Sequence, residues 1–410
     1  MSDKKYFRKK ICQKVISDNK VIISNKLNGK WIKIPEECDK VIEYSVENRL
    51  DLNEVKTLFK CENDREYFEK IMICLEKIGL VGNKMDEKLL MGRINLITFS
   101  ITNKCNLSCD YCCSDSKIYN SIDLQTSEIY KIIDNIIYLN PRVVNITGGE
   151  PLIRKDFFEI LEYLNKNFKG KIILSTNSLL IKKEDIIRLT QNTDYIEISI
   201  DGYNEESCKK IRGDNVFTKV MLIVEELKKL KFNNISLSMV VGKNNNCEVE
   251  EFIKLNEKLG TKPIIRNFMN IGRGENYYYN YLEDRRDLVY IRKDNYKKLK
   301  ANMCKAGENQ ISIDYKGNVY PCPNLEYDDL KMFNILNMNE NIKYKIENKE
   351  LDIFEKIEQL KMNNIKRCEN CNLNIFCTPC PAQVYIALRD NEKFSWNCKK
   401  MKKILNDIVW

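Results

Sequence analysis

Short apolar segments alternate with amphipathic segments between residues 94 and 275. The apolar segments are rich in Ile and Val, as is typical of buried strands, and they cover 94–101, 142–146, 171–175, 195–200, 235–241 and 263–268. The amphipathic segments predict helices at 127–139, 156–168, 183–191, 218–231 and 248–259. Because a helical crossover returns the chain to a parallel strand, this alternation predicts an α/β fold with a parallel sheet. The pattern suits a partial (β/α)6 TIM barrel, and an open doubly wound sheet is the alternative.

The segment 1–90 predicts a separate small module. Apolar residues at 21–24 and 30–34 flank Asn28-Gly29, a dipeptide that is typical of a hairpin turn. Helix patterns follow at 35–46, 52–59 and 64–78. A hairpin with three short helices is a winged-helix-like arrangement, which in general binds nucleic acid or a peptide. We favour a peptide, because the edge of the hairpin can accept an added strand through main-chain hydrogen bonds.

Composition excludes several classes of protein. The chain has 410 residues, of which 43% are hydrophobic, so it can bury a large core in two or three domains. Charged residues interrupt each apolar run well before bilayer length, and no apolar segment follows the basic N-terminus. We therefore expect a cytoplasmic protein with no membrane association. There is no histidine, which excludes imidazole catalysis, the common zinc triads and a histidine-ligated haem.

The chain contains seventeen cysteines, and ten of them form two ordered sets. In a reducing compartment so many cysteines indicate metal ligation rather than disulfides. The first set has the spacing CxxxCxxC and the second begins some 190 residues later; their members are Cys105, Cys109 and Cys112, then Cys304, Cys322, Cys368, Cys371, Cys377, Cys380 and Cys398.

The first set follows the first strand of the predicted barrel, at the mouth where such folds hold their active sites. Three thiolates can hold a four-iron cluster and leave one iron open to a group that is not protein. Zinc is the alternative, but a tight trio without a fourth ligand nearby makes a poor closed tetrahedral site. The spacing therefore favours a reactive iron–sulfur cluster.

Three further motifs follow the next three predicted strands: Gly148-Gly149-Glu150, Ser175-Thr176-Asn177 and Ser199-Ile200-Asp201. With the cysteine trio they resemble the radical S-adenosylmethionine (SAM) enzymes. The resemblance implies that Gly148, Gly149 and Glu150 contact the amino group of SAM. It implies that Arg212 meets the SAM carboxylate, a role suited to a guanidinium fork. The positions implied to contact the ribose are Ser175, Asn177, Ser199 and Asp201. In this family the cluster reduces SAM, and the resulting 5′-deoxyadenosyl radical abstracts a hydrogen atom from the substrate.

The second set resembles the SPASM extension of the same superfamily, which binds two auxiliary [4Fe-4S] clusters with seven such cysteines. The resemblance implies three clusters in total, with an inner auxiliary cluster on Cys304, Cys322 and Cys380. It implies an outer auxiliary cluster on Cys368, Cys371, Cys377 and Cys398. Cys377 and Cys380 are separated by two residues, where the family usually has three. A zinc ribbon is the alternative for the paired CxxC motifs.

No cysteine lies between Cys304 and Cys322, although fully ligated relatives carry another one there. This absence predicts an open iron on the inner auxiliary cluster, where a cysteine of the substrate can bind as thiolate. The resemblance is thus closest to the sactipeptide and ranthipeptide maturases, which form thioethers in ribosomally synthesised and post-translationally modified peptides (RiPPs).

Four domains and two partners follow from this resemblance. The domains are a leader-binding RiPP recognition element at 1–90, a radical SAM barrel at 91–275, a linker at 276–303 and a SPASM domain at 304–410. The partners are a precursor peptide with a leader and a flavodoxin or ferredoxin as electron donor, with no nucleic acid and no membrane. The formal charge of +9 suits docking of an acidic electron donor or peptide.

Two rival functions remain open. The same radical can form a carbon–carbon crosslink, epimerise a residue or make formylglycine. A winged helix combined with iron–sulfur clusters is also found in DNA-binding redox sensors, a function that leaves Glu150 and Arg212 without a role.

Overall fold

The computed structural model describes residues 4–82, 94–119, 122–283, 299–301, 304, 306–377 and 380–410. These residues divide into two compact units. The first unit takes its described residues from 1–91, 293–304 and 357–410, and the second takes them from 92–292 and 305–356. The four-domain division drawn from the sequence remains a prediction.

The N-terminal part of the first unit is a small α/β module. Its strands are β1 (Tyr6–Phe7), β2 (Cys12–Ser17), β3 (Lys20–Asn25), β4 (Trp31–Pro35) and β5 (Val81–Gly82). Its helices are α1 (Glu36–Glu47), α2 (Leu52–Lys56) and α3 (Glu62–Lys77). Strands β2, β3 and β4 form an antiparallel sheet, and β1 pairs with β5. The predicted hairpin is confirmed, since Ile23 of β3 lies opposite Ile32 of β4.

Strand β2 was not predicted, and it changes which edges of this sheet are open. It pairs with β3 over its whole length, so β3 is the central strand and cannot accept an added strand. Only two of its positions are clearly apolar and adjacent, Val15 and Ile16, and Ile16 is exposed. The sequence therefore lacked the continuous apolar run that identified β3. Among the described strands, β2 and β4 form the two edges of this sheet.

The second unit is built on a nine-stranded sheet. Its strands are β6 (Leu96–Ser100), β7 (Val143–Thr147), β8 (Lys171–Thr176), β9 (Tyr195–Ser199), β10 (Ile235–Val241), β11 (Lys262–Asn267), β12 (Gln310–Ile313), β13 (Asn318–Tyr320) and β14 (Phe333–Asn334). Its helices are α4 (Thr126–Leu139), α5 (Phe157–Asn167), α6 (Ile186–Asn192), α7 (Glu205–Arg212), α8 (Val216–Lys229), α9 (Val249–Leu259), α10 (Tyr278–Tyr281) and α11 (Glu340–Glu347).

Strands β6 to β11 lie side by side in chain order, and each is parallel to the next. A doubly wound sheet would reverse its strand order at a switch point, and this sheet has no reversal in that stretch. The order therefore agrees with the predicted partial barrel. Ile129, Ile132 and Ile136 of α4 are completely buried, and so are Ile97 and Phe99 of β6. Helix α4 therefore turns its apolar face towards the protein core.

The sheet continues beyond the six predicted strands. Strand β12 pairs in parallel with β6, with Ile311 opposite Ile97, and β13 and β14 add antiparallel strands. The helix α7 was also missed, because it is short and mostly charged; Asn204 caps its N-terminus by accepting a hydrogen bond from the Ser207 N–H at 2.8 Å.

The C-terminal helices are α12 (Ile353–Gln359), α13 (Pro381–Leu388) and α14 (Asn391–Val409). Within the first unit, the N-terminal module packs against the cysteine-rich C-terminal segment. The Trp31 ring meets Phe376 edge-on, with 5.1 Å between centroids, and Lys33 donates to the Val409 carbonyl at 2.9 Å. Among the described residues, no helix combines the length and the apolarity needed to cross a bilayer.

Candidate cluster and cosubstrate site

The predicted site residues of the first set lie beyond the carboxyl ends of four neighbouring parallel strands. The loop that carries Cys105, Cys109 and Cys112 follows β6, and we call residues 102–116 the cluster loop. Glu150 follows β7, and Asn177 and Asp201 follow β8 and β9. Because these strands are parallel, their ends share one edge of the sheet, and the four segments come together there.

The three cysteines of the cluster loop are half-buried. The Leu107 N–H donates to Cys105 Sγ at 3.4 Å, and the Ser116 N–H donates to Cys112 Sγ at 3.4 Å. Such donors stabilise a thiolate more than a thiol. The local backbone is therefore already arranged to receive negative sulfur at two of the three positions.

Burial raises the pKa of Cys105 to about 11, and Glu150, Cys109 and Cys112 add to the rise. Burial also raises the pKa of Cys109, against the opposing effect of the Arg212 charge. The three thiols thus lie within electrostatic reach of one another. Among the described residues, no three Cys, Asp or Glu side chains are grouped closely enough to hold a single metal ion. A cubane spreads its thiolates over different irons, so the cysteine donor set of this loop fits a cluster.

The two glycines allow close contact between the segment after β7 and the cluster loop. The Gly149 N–H donates to the Thr102 carbonyl at 2.9 Å, and the Glu150 N–H donates to the Lys104 carbonyl at 2.8 Å. A Cβ on Gly148 would lie 2.4 Å from the Thr102 oxygen, and one on Gly149 would lie 2.2 Å from the Lys104 oxygen. Gly148 also has a φ of +153°. Any side chain here would displace the cluster loop.

Glu150 is fully buried and joins two strand ends. Its carboxylate accepts hydrogen bonds from Thr176 Oγ1 and from the Asn177 N–H, both at 2.7 Å, and from the Leu152 N–H at 3.2 Å. Burial raises the pKa of Glu150, and these three donors oppose the rise. A carboxylate has about four acceptor positions. One remains for an ammonium group, which fits the role that the sequence implied.

The residues predicted to contact the ribose occupy different surroundings. Asn177 Nδ2 donates to Asn106 Oδ1 of the cluster loop at 2.8 Å and lies 4.0 Å from Cys105 Sγ. Ser175 donates to Asn145 at 3.0 Å, and Ser199 accepts from Ser238 at 3.4 Å. Asn177 therefore contacts the cluster loop, whereas the two serines bond to neighbouring strands of the sheet; the ribose contacts remain a prediction.

Asp201 lies at the centre of a buried network. It has a φ of +58° and is 1% exposed, and its carboxylate accepts from the Val240 N–H at 2.6 Å. Its other oxygen accepts from the Tyr111 hydroxyl and from Arg212 Nε. Among the described residues, the terminal Nη groups of Arg212 have no hydrogen-bond partner. Asp201 thus positions Arg212 with its fork available for a carboxylate.

Tyr111 was not singled out from the sequence, although it lies inside the cysteine motif. Burial raises the pKa of Tyr111 well above its usual value, so the hydroxyl stays a donor to Asp201. Its ring packs edge-on against Tyr281, which stacks on Phe268 with 4.7 Å between ring centroids. This aromatic group links the cluster loop to the chain that follows β11.

Arg154 was also missed, although it follows Glu150 by four residues. Its side chain is 4% exposed, and its guanidinium pairs with Asp156 at 2.6 Å and donates to the Ile101 carbonyl at 3.2 Å and the Leu124 carbonyl at 3.0 Å. It therefore holds the end of β6 from which the cluster loop begins. In the sequence, a single arginine outside a motif cannot be distinguished from an ordinary surface arginine.

Glu326 is a titratable group near the start of the second cysteine set. It is half-buried in the loop after β13, four residues beyond Cys322. Burial raises the pKa of Glu326 to about 7, and the Asp314 charge adds to the rise. In the unfolded chain the carboxyl ionises at its ordinary lower pKa, so folding favours its protonated form.

We expect this shift to make folding pH-dependent. Between about pH 5.5 and 7 the unfolded carboxyl is ionised while the folded one stays protonated, so the free energy of unfolding should fall by about 1.5 kcal/mol as pH rises. Glu326→Gln should remove that part of the slope. Urea unfolding of wild type and variant at several pH values measures it, and parallel profiles would contradict the assignment.

The second cysteine set is divided between the two units. Cys322 belongs to the second unit, and Cys304 and Cys380 belong to the first, so their assignment to one cluster remains a prediction. Within the first unit, burial raises the pKa of Cys368 to about 11, and Cys398 and Cys371 add to the rise. These three thiols of the predicted outer cluster therefore lie within electrostatic reach of one another.

Two further members of the second cysteine set, Cys377 and Cys380, adjoin the same segment. Cys377 ends a series of turns that starts at Cys371, and its N–H donates to the Leu373 carbonyl at 3.1 Å. Cys380 precedes α13, and burial raises its pKa while the Gln383 N–H opposes the rise. The structure thus places Cys377 on the turns between Cys371 and Cys380.

Comparisons with known proteins identify two families. The family model of the radical SAM superfamily matches residues 99–255, and that of the SPASM iron–sulfur cluster-binding domain matches residues 304–372. The mycofactocin maturase MftC of Mycolicibacterium smegmatis is 30% identical over 265 residues, which cover 58% of this chain and 67% of MftC.

Two solved structures share the fold. SuiB of Streptococcus suis, bound to the precursor peptide SuiA, has a TM-score of 0.53 at 14% identity, covering 89% of this chain and 94% of SuiB. The enzyme anSMEcpe with bound AdoMet has a TM-score of 0.53 at 20% identity, covering 77% of this chain and 100% of that enzyme. At these identities the likeness concerns the fold alone.

Proposed function

We propose that this chain, which belongs to the radical SAM superfamily, is a RiPP maturase that forms thioether crosslinks in a cysteine-containing precursor peptide. One observation supports radical SAM chemistry in particular. The cysteine trio, Glu150 and the Asp201–Arg212 pair meet at one edge of the parallel sheet, where donors for a cluster and for SAM stand side by side. MftC is named as a maturase, and SuiB was solved with a precursor peptide, which supports a peptide substrate.

Each group of the site has a proposed task. Cys105, Cys109 and Cys112 hold the first [4Fe-4S] cluster, Glu150 accepts from the SAM ammonium, and the fork of Arg212 binds the SAM carboxylate. The ribose is bound near Asn177, with Asp201 as the residue that orients Arg212. When bound, the reduced cluster and SAM supply a 5′-deoxyadenosyl radical, which is the chemistry that the protein itself lacks.

The second cysteine set makes thioether formation the preferred reaction. Cys304, Cys322 and Cys380 would hold the inner auxiliary cluster, which would supply an iron able to bind a substrate thiolate. Cys368, Cys371, Cys377 and Cys398 hold the outer one, which gives three clusters in all. The balance is simple: a carbon–hydrogen bond of the peptide loses its hydrogen atom to the radical, the thiol loses a proton to solvent, and one electron leaves through an auxiliary cluster.

The N-terminal module is the proposed leader-binding site, a winged-helix-like RiPP recognition element. Several basic residues near its N-terminus are paired within the module, which weighs against the rival function of a DNA-binding redox sensor. Lys5 pairs with Glu76 at 2.5 Å, Lys9 pairs with Glu43 at 2.9 Å, and Lys14 pairs with Asp39 at 2.5 Å. Pairing makes these three lysines less available to phosphates. The edge strands β2 and β4 of its sheet suit main-chain pairing with a leader peptide rather than binding of DNA.

The proposed setting of the enzyme is the cytoplasm, and its proposed electron source is a small redox protein. Thiolate-bound clusters persist in a reducing compartment, which suits the cytoplasm. A flavodoxin or ferredoxin supplies the electron, and the mild positive charge of the chain suits such an acidic partner.

Mass spectrometry of a coexpressed precursor tests this function. Open reading frames beside the coding sequence identify a short cysteine-rich candidate, which is purified, treated with a thiol alkylator and fragmented. We expect the loss of two hydrogens per bridge and cysteines that resist alkylation, because each sulfur is bonded to carbon. The Cys109→Ala enzyme is the matched control and should leave the peptide unmodified.

Other results of the same experiment would identify a rival. A peptide that loses two hydrogens but keeps alkylatable cysteines points to a carbon–carbon crosslink. A peptide whose mass is unchanged in H₂O but which gains deuterium in D₂O points to epimerisation. Conversion of a cysteine or serine to an aldehyde points to formylglycine. Each of these outcomes would overturn thioether formation while leaving the radical SAM site intact.

A further inference from the structure

A short segment after β11 passes against the cluster loop. Its Arg273 is 7% exposed and donates hydrogen bonds from Nη1 to the Cys109 carbonyl at 2.9 Å and from Nη2 to the Ser116 carbonyl at 2.5 Å. Nε pairs with Asp115 at 2.9 Å. One guanidinium therefore binds the loop at three points, a geometry that a lysine cannot reproduce.

The backbone of the same segment makes equally close contacts. The Arg273 N–H donates to the Cys112 carbonyl at 3.0 Å. Gly272, which precedes it, has a φ of +57°, and a Cβ there would lie 2.3 Å from the Cys113 oxygen and 2.7 Å from the Cys112 oxygen. Both the conformation and the close approach require glycine. The segment thus fixes the carbonyls of two predicted cluster ligands, Cys109 and Cys112.

These contacts hold a loop that is otherwise strained. Asp115 has a φ of +43°, and its bond to Arg273 stabilises that conformation. Next to it, the Ser116 hydroxyl donates to Asn103 at 2.7 Å, which connects the end of the loop to its beginning. Arg273 therefore acts at the point where the loop closes on itself.

The charge of Arg273 matters as much as its shape. A guanidinium stays protonated at any working pH, and this one is buried beside the peptide group of Cys109. Its partner Asp115 is 48% exposed, so water screens the opposing carboxylate more than it screens the guanidinium. A buried cation favours the more negative, reduced state of a nearby iron–sulfur cluster.

We propose that Gly272 and Arg273 are positioning residues that hold the cluster loop ready to receive its cluster and raise the reduction potential of that cluster. This inference rests on the proposed ligand role of Cys105, Cys109 and Cys112. These two residues follow β11 and lie more than 150 residues after the cluster loop in the sequence. The segment after β11 would therefore affect the chemistry of a cluster bound by that loop.

Variants with matched controls test the inference. Arg273→Gln removes charge and fork, Arg273→Lys keeps the charge, and Gly272→Ala forces the loop to move. The control for arginine loss is Arg266→Gln on β11, whose side chain is 49% exposed and pairs with Glu197. The control for glycine loss is Gly260→Ala, which has a φ of +61° but only the flexible Lys228 side chain nearby.

The readouts are iron and sulfide bound after anaerobic reconstitution, and the midpoint potential of the EPR signal that responds to SAM. We expect less bound iron in Arg273→Gln and Gly272→Ala than in their controls. In Arg273→Gln the remaining SAM-responsive cluster should show about a tenfold lower ratio of reduced to oxidised form at a fixed potential, about 59 mV more negative. Arg273→Lys should keep a potential near that of wild type.

Two outcomes would overturn this inference. One is an Arg273→Gln enzyme with the iron content and potential of Arg266→Gln, and the other is a lowered iron content with an unmoved potential, which a merely structural arginine would give. If Arg273→Gln fails to fold, an unchanged iron content in Gly272→Ala contradicts the inference. A wild-type protein that forms no SAM-responsive cluster would instead refute the proposed function.

Discussion

Alanine in place of Cys105, Cys109 or Cys112 is expected to reduce 5′-deoxyadenosine release to the level of a protein-free mixture. Each variant removes one of three thiolates, and two thiolates do not fix a cubane with a single open iron. The measurement is chromatographic detection of 5′-deoxyadenosine after incubation with SAM and dithionite. No step of the peptide reaction is needed, so the test isolates the first cluster.

The control for this prediction is Cys247→Ala, which removes an exposed cysteine of the same unit. It should release 5′-deoxyadenosine at the wild-type rate. Variants of the outer set, such as Cys368→Ala, should retain 5′-deoxyadenosine release while losing crosslinked peptide. Sustained release by a Cys109→Ala enzyme would show that the ligand assignment is wrong.

Loss of Glu150 is expected to affect both stability and cosubstrate binding. Glu150→Ala leaves three buried donors, on Thr176, Asn177 and Leu152, without their acceptor, which should lower the free energy of unfolding by about 3 kcal/mol. Urea unfolding measures this loss. The reason is local, because Glu150 joins the ends of β7 and β8.

Glu150→Gln separates the two effects. The amide keeps the size of the side chain and one acceptor oxygen but has no charge for an ammonium group. We expect a smaller loss of stability than in Glu150→Ala and a clear loss of SAM affinity, measured by calorimetry on the reconstituted protein. The exposed Glu184→Gln is the control. Wild-type SAM affinity in Glu150→Gln would remove Glu150 from the cosubstrate site.

The parallel part of the fold was predictable because most of its strands are rich in apolar residues and bury at least one face. Apolar segments such as those of β7 and β10 have a distinct signal, and helices of more than ten residues show a clear period. The strands added after β11 lacked such signals. Strand β12 is four residues long, and its pairing with β6 joins positions more than 200 residues apart. Only the folded chain brings these positions together.

The chemistry-bearing residues divide in the same way. The cysteines and Glu150 belong to short motifs with a chemical meaning of their own, so their spacing pointed to a cluster and its cosubstrate. Tyr111 and Arg273 act through contacts with distant residues, Asp201 and the cluster loop. Their roles depend on which strand ends share an edge of the sheet, and no local pattern records that. The pairing of Arg212 with Asp201 was likewise visible only in the structure.

Mössbauer spectroscopy tests the central claim most directly. The protein is reconstituted anaerobically with ⁵⁷Fe, and spectra are recorded with and without SAM. If three thiolates of the cluster loop leave one iron open to SAM, a single iron site should change its isomer shift and quadrupole splitting on addition of SAM, and that change should be absent in Cys105→Ala. Spectra in which SAM alters no iron site would contradict this interpretation.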